Sequence, residues 1–171
     1  DDENLYSAMK EVREHGSAKR YYHTRLGLNG RLDTIQCAIL LSKLTRFDWE
    51  VQRRNELAKK YNDSFKDLKG KDFSIPHVEA NCTSVWAQYT LTVGDRATFQ
   101  KNLQDNGVPT SVHYPLIIPD QPWYKNKLAS HQGELPKAKW AAEHVVSLPL
   151  YPDMPNDIQD RVIEVVRKAL S

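Results

Sequence analysis

Cysteine is scarce in this sequence, with only Cys37 and Cys82. They form no Cys-x-x-Cys pair, so they support neither a disulfide framework nor a thiolate zinc site, and they suit a reducing compartment. The six histidines, at 15, 23, 77, 113, 131 and 144, show no metal-ligand spacing, and no metal is implied. No apolar run approaches the roughly 20 residues of a membrane-spanning helix, and no signal peptide opens the chain. A cytoplasmic location is therefore expected, without a membrane partner. Net charge is nearly absent as well. The 24 Lys and Arg against 22 Asp and Glu leave +2, which gives no global argument for nucleic-acid binding. Gly-x-Ser-x-Gly elbow, Walker loop, His-Glu-x-x-His and dinucleotide fingerprint are all missing, so no residue is assigned a catalytic role.

What is present is enough for a folded chain. The 171 residues, 40% of them hydrophobic and four of them tryptophan, suffice for one ordinary domain with a real core. The chain opens Asp1-Asp2-Glu3, without methionine, and enters helix pattern at once, which carries the expectation that something precedes it. Leu5, Ala8, Met9 and Val12 form one apolar stripe, with the acids at the positive end of the dipole and Lys10, Arg13 and His15 at the negative end. Gly16 stands where a terminating glycine belongs.

The stretch from Tyr21 to Gln36 draws most attention. Up to Arg31 it has no helical or strand period: two tyrosines, His23, Arg25, Asn29 and Arg31 surround Gly27 and Gly30. The glycines allow close backbone approach to a ligand, and amide and guanidinium groups offer donors to phosphate or carboxylate oxygens. The same residues also read as a solvated loop entering a helix. Asp33 and Gln36 have capping-box spacing, with Leu32 and Cys37 placed for a hydrophobic staple. From Asp33 to Leu68 neither glycine nor proline occurs, which permits one helix of roughly 30 residues and roughly 45 Å. Ile35, Ile39, Leu40 and Leu44 should present an apolar patch on its first half, Arg53 and Arg54 belong to its charged outer face, and Gly70 should end it.

Beyond it, Phe73–Pro76 reads as an edge strand and Val85–Val93 as a strand with Val85, Ala87, Tyr89, Leu91 and Val93 on one face. A helix from Arg96 to Asn106 is capped by Asp95 and stopped by Gly107. Val108–Val112 reads as another strand, leading into His113 and Tyr114. Pro136 suits the first turn of a helix reaching about His144. An extended Ser147–Leu150 then precedes a terminal helix with its stripe at Ile158, Val162, Val166 and Leu170. The order implies an α/β chain in which a small antiparallel or mixed sheet is covered by helices on one face and attached to a long connecting helix. His113 and Tyr114 leave a strand end together before a proline, placed to donate to a ligand; equally, the His can bond backbone and the Tyr pack.

His15-Gly16, Tyr22-His23, Leu26-Gly27, Asn29, Arg31-Leu32-Asp33, Gln36 and Ala38-Ile39 together resemble the signature of the DegT/DnrJ/EryC1/StrS family of pyridoxal-phosphate-dependent nucleotide-sugar aminotransferases. Further pieces follow in order: Arg53-Arg54, Ala58 and Tyr61, Trp86 and Tyr89, Gly107 to Thr110, His113-Tyr114-Pro115, Gln121-Pro122 and Ser147 to Leu150. The match runs over essentially the whole chain but resembles only the C-terminal part of a fold-type I transferase. By this resemblance 1–32 are a remnant of the large cofactor domain, 33–69 the connecting helix and 70–171 the small C-terminal domain. The cofactor would be pyridoxal 5'-phosphate. Asn29 would hydrogen-bond the cofactor phosphate held by the other subunit of a homodimer, with Arg31 in the same region. His23, Arg25, His113 and Tyr114 would meet the nucleotide sugar.

The resemblance also implies an amino group moved from an amino acid, glutamate by expectation, to a keto nucleotide sugar for cell-surface polysaccharide or related biosynthesis. Arg25 resembles the branch that handles uronic-acid sugars, and an arginine can pair bidentately with a uronate. Two departures stand out. No lysine here, Lys10, Lys19 and Lys43 included, has the serine- and glycine-rich context of the lysine that holds the cofactor covalently, so this chain alone is expected to be inactive and not to bind it. Leu116-Ile117-Ile118 replaces the polar segment that usually follows His-Tyr-Pro. A non-catalytic dimerisation module, a sugar dehydratase relative, and an RNA-binding patch at Lys19–Arg25 are the other readings.

Overall fold

Asp2 starts the first helix, α1 (Glu3–Arg13), by accepting from the Leu5 N–H at 3.0 Å, with Glu3 at its positive end and Lys10 and Arg13 at its negative end. The computed structural model describes residues 1–68, 72–125 and 135–171. Its chain divides into two units, Asp1–Asp48 and Trp49–Ser171. In the first, α1 stops through two left-handed residues, His15 (φ 61°) and Gly16 (φ 77°), and the Gly16 N–H returns to the Glu11 carbonyl at 2.7 Å. The terminating turn thus begins one residue before the expected glycine. A short antiparallel hairpin follows, β1 (Ser17–Lys19) against β2 (Tyr22–His23), which the sequence does not announce because strands of two and three residues carry no readable alternation.

The helix α2 (Thr34–Leu44) starts from the expected capping box, in which Gln36 Oε1 accepts from the Asp33 N–H at 3.2 Å. It does not run on to Leu68. The Thr45 hydroxyl donates to the Ser42 carbonyl at 2.8 Å and the Arg46 N–H bonds Lys43 rather than Ser42, so the ladder is interrupted before α3 (Phe47–Phe65) begins. At this point a threonine hydroxyl takes the i−3 carbonyl, a back-bond that weakens and bends helices, in a run that holds neither glycine nor proline. Gly70, the expected terminator, lies outside the described residues. No apolar side chain of the first unit is buried. The expected apolar patch is there, with Ile35 72% and Leu44 60% exposed.

The second unit holds the core. The strand β3 (Tyr89–Thr92) pairs antiparallel with β4 (Val145–Leu148), Tyr89 facing Leu148 and Leu91 facing Val146. Those four side chains share one face and are buried among Leu57, Tyr61 and Phe65 of α3, Phe99 and Leu103 of α4 (Arg96–Asp105), and Val162, Val165 and Val166 of α7 (Asn156–Ala169). The sheet is smaller than expected. The 73–76 and 108–112 segments each contribute a single bridge, Ser74 to Thr92 and Ser111 to Ser147. The alternation expected from Val85 starts only at Tyr89. Trp86 takes φ 49° and is buried, which breaks the period and leaves Val85 exposed. Asp95 caps α4 as expected, accepting from the Thr98 N–H at 3.0 Å, and Gly107 follows at φ 76°.

A 3₁₀ turn at Ile118–Asp120 leads to the short α5 (Pro122–Lys125), and α6 (Pro136–His144) begins at Pro136 as expected. Along α7, Gln159 rather than Ile158 enters the core, where its Nε2 donates to the Leu57 carbonyl at 2.7 Å. Arg53 and Arg54 do not merely charge an outer face. Arg53 donates to the Met154 carbonyl at 3.2 Å and Arg54 to the Trp86 carbonyl at 3.1 Å, tying α3 to two loops.

Tyr61 stacks on Phe65 at 5.7 Å and meets the tilted Tyr89 ring at 4.8 Å between centroids, and its hydroxyl donates to the Pro149 carbonyl at 2.8 Å. Burial pushes the Tyr61 and Tyr89 phenols above the ordinary tyrosine range, Tyr61 further by its neighbours Tyr89 and Tyr151. A phenol whose folded pKa is raised stabilises the fold fully below the unfolded value and loses that contribution as pH climbs above it. Urea melts should therefore show stability falling above about pH 10. Tyr61→Phe should cost about 1 kcal/mol at neutral pH and flatten part of that alkaline loss.

Candidate functional site

The loop from Tyr21 to Arg31 is held to the end of α1 by its own backbone. The Thr24 N–H donates to the Gly16 carbonyl at 2.9 Å, Leu28 to Val12 at 2.9 Å and Gly30 to Arg13 at 2.9 Å, while the His15 N–H reaches the Leu28 carbonyl at 3.0 Å. Asn29 forms a bridge with Glu14. Such a seam demands glycine on both sides. A Cβ on Gly16 would meet the Arg25 carbonyl, and one on Gly27 would meet the backbone of Gly16 and His15. Gly27 and Gly30, expected to allow close approach of a ligand, here allow close approach of the end of α1.

Side chains complete the arrangement. Arg25 Nε donates to Glu11 Oε2 at 2.6 Å, and Thr24 Oγ1 shares that carboxylate oxygen at 3.1 Å. His23 Nδ1 lies 2.9 Å from the His15 carbonyl and 3.0 Å from Ser17 Oγ. A carbonyl can only accept, so Nδ1 carries the proton and Nε2 is the ring nitrogen left for a ligand. An open cleft of about 780 Å³ is lined by Tyr6, Lys10, His15, Arg20, His23 and Arg31 among others. His23 and Arg31 therefore share one cleft, whereas Arg25 turns to Glu11. Among the described residues, the Asn29 amide and the Arg31 guanidinium have no hydrogen-bond or ion-pair partner.

His113 and Tyr114 lie in the second unit, joined by a cis peptide, with rings edge to face at 5.6 Å. Tyr114 is 70% exposed, and half-buried His113 helps line a pocket of about 190 Å³ with Gln88, Thr110, Ser147, Leu148 and Pro149. Its Nδ1 lies 3.3 Å from Ser147 Oγ, which in turn lies 2.9 Å from Thr90 Oγ1. Sequence reasoning missed Glu11, Ser147 and Thr90. Glu11 carries no motif, Thr90 sits inside a strand pattern, and Ser147 opens one of the matching pieces without a role attached to its hydroxyl. No group of His, Cys, Asp and Glu suited to a metal occurs among the described residues, and no helix there is long and apolar enough to cross a membrane.

The DegT/DnrJ/EryC1/StrS aminotransferase family model matches residues 1–167, and the chain belongs to that family. It is 40% identical over 151 residues to the UDP-2-acetamido-2-deoxy-3-oxo-D-glucuronate aminotransferase of Pseudomonas aeruginosa, covering 88% of this chain and 40% of that protein. Its fold overlays a DegT/DnrJ/EryC1/StrS aminotransferase from Brucella abortus with a TM-score of 0.86 and 31% identity, over 99% of this chain and 44% of that one. NtdA from Bacillus subtilis with bound cofactor PMP gives a TM-score of 0.85 and 27% identity, over 99% of this chain and 40% of that one. The chain thus spans less than half the length of these relatives, and its α/β fold is that of the C-terminal part of a fold-type I aminotransferase.

Gly27→Ala should lift the 24–30 loop from α1. Amide hydrogen exchange should quicken at Thr24, Leu28 and Gly30, while amides of β3 and β4 keep their protection. Unchanged protection at Leu28 would contradict the seam.

Proposed function

We propose that this chain is part of a pyridoxal-phosphate-dependent aminotransferase that passes an amino group from an amino acid, glutamate by preference, to a keto nucleotide sugar of the uronic-acid class. The reaction would serve cell-surface polysaccharide or related sugar biosynthesis in the cytoplasm. The observation that carries this reading is a loop tied to α1 through the backbone of Thr24, Leu28 and Gly30 while Asn29 and Arg31 keep uncommitted donors. A neutral amide beside a guanidinium is a donor set that fits a phosphate. The family membership supports the cofactor.

In this reading Asn29 and Arg31 hold the phosphate of a cofactor seated mainly in the other subunit of a homodimer. When bound, that cofactor supplies the carbonyl chemistry that carries the amino group between donor and acceptor. His23 offers Nε2 to a sugar hydroxyl. Glu11 occupies Arg25 Nε and so orients the guanidinium, leaving its terminal nitrogens for a uronate carboxylate. The 40% identity to a protein named for a 3-oxo-glucuronate sugar supports this refinement. His113 and Tyr114 contribute a second set of donors to the nucleotide sugar. The partition into 1–32, 33–69 and 70–171 belongs to the same proposal, with the Thr45-Arg46 interruption inside its connecting segment.

Asn29→Ala in the complete gene product should weaken cofactor binding roughly 10- to 100-fold, the loss of one hydrogen bond to a charged acceptor of about 1.5–3 kcal/mol. Melting of the cofactor-free protein should barely change. Full cofactor affinity in Asn29→Gly would leave the amide without its proposed role.

The isolated chain should bind no cofactor covalently. Borohydride reduction with added pyridoxal phosphate, followed by peptide mapping, checks this, and stoichiometric labelling of one lysine would sink the claim. UDP-glucuronic acid binding tighter than UDP-glucose, with the difference lost in Arg25→Gln, would support the uronate preference.

A further inference from the structure

Ser147 occupies an unusual place in the sheet. Its backbone N–H and carbonyl both go to Ser111, at 2.8 and 3.2 Å, while Thr90 stands opposite it in the β3–β4 register. It faces away from the core, because its neighbours Val146 and Leu148 take the opposite face. Even so it is only 5% exposed, with the His113 ring against its hydroxyl. A hydroxyl buried so deeply must be spent on protein partners. Those partners are Thr90 Oγ1 at 2.9 Å and His113 Nδ1 at 3.3 Å.

The chain Thr90, Ser147, His113 runs from the sheet face to the wall of the small pocket that His113 lines. We propose that Ser147, backed by Thr90, is a positioning residue that holds Nδ1 of His113 and so fixes the ring with Nε2 as its ligand-facing nitrogen. The inference rests on the reading of His113 as a nucleotide-sugar contact. Ring placement is the same whichever way the hydroxyl protons run along the chain. Serine suits the position because its Cβ is pinned by two neighbouring backbones, leaving one torsion to aim the oxygen. An imidazole held on one nitrogen loses little further freedom when the other meets a ligand.

A double-mutant cycle on the cofactor-loaded complete protein tests this, with UDP-glucuronic acid as the calorimetric probe. His113→Ala should weaken binding on the order of 10-fold and Ser147→Ala about 3- to 10-fold, each figure the scale of one hydrogen bond. The double variant should bind within about twofold of His113→Ala alone, because Ser147 acts only through the ring. A merely structural loss would add to that of His113→Ala instead. Thr90→Val should follow Ser147→Ala in direction and Thr90→Ser should restore binding, and this pair carries the test if Ser147→Ala does not fold. Loss in His113→Ala with none in Ser147→Ala or Thr90→Val, or additive losses in the double variant, overturns the positioning role and leaves the contact reading intact. No loss in His113→Ala overturns both.

Discussion

The ladder between β3 and β4 pairs Tyr89 with Leu148 and Leu91 with Val146, which puts four large side chains on one face and Thr90 and Ser147 on the other. A slip of one residue would exchange the two faces, exposing the apolar set and burying the hydroxyls where Tyr61 and Leu103 now pack. Both faces of the second unit's sheet depend on that register. The apolar face recruits α3, α4 and α7, and the polar face carries the hydroxyl pair behind His113. With only two strands of four residues each, the sheet draws its stability from the helices packed on it.

The first unit is organised by a different force. It buries no apolar side chain, and its order comes from backbone hydrogen bonds between the 24–30 loop and the last turn of α1. Two glycines, 16 and 27, make that approach possible by presenting no Cβ to each other. A loop held by its backbone leaves its side chains to other tasks. Glu11 and His15 accept from Arg25 and His23, while Asn29 and Arg31 keep their donors. Placing uncommitted donors on a support tied down by its backbone lowers the entropy lost when an anion is bound.

Hydroxyl groups recur at the decisive points. Thr45 interrupts what would otherwise be one helix, Tyr61 anchors Pro149 beside the pocket of His113, and Ser147 reaches that histidine directly. In the first two the hydroxyl takes a backbone carbonyl, and in the third it takes a side-chain partner.

The sequence by itself determined the starts of α2, α4 and α6, because such signals are local: Asp33, Asp95 and Pro136 each act within one turn of their own residue. It also determined the family, since ordered motifs survive as strings of residues. The tertiary structure alone decided the rest. Trp86 takes a left-handed backbone and turns inward because Asn55 and the Tyr89 ring receive it, which ends the alternation at Tyr89 rather than Val85. Arg53 and Arg54 become clamps because loop carbonyls arrive from far along the chain. Arg25 meets Glu11, and His113 meets Ser147, across separations of 14 and 34 residues that no periodicity encodes. A cap is legible because its donor and acceptor are neighbours in sequence, whereas these contacts exist only once the chain has folded back on itself.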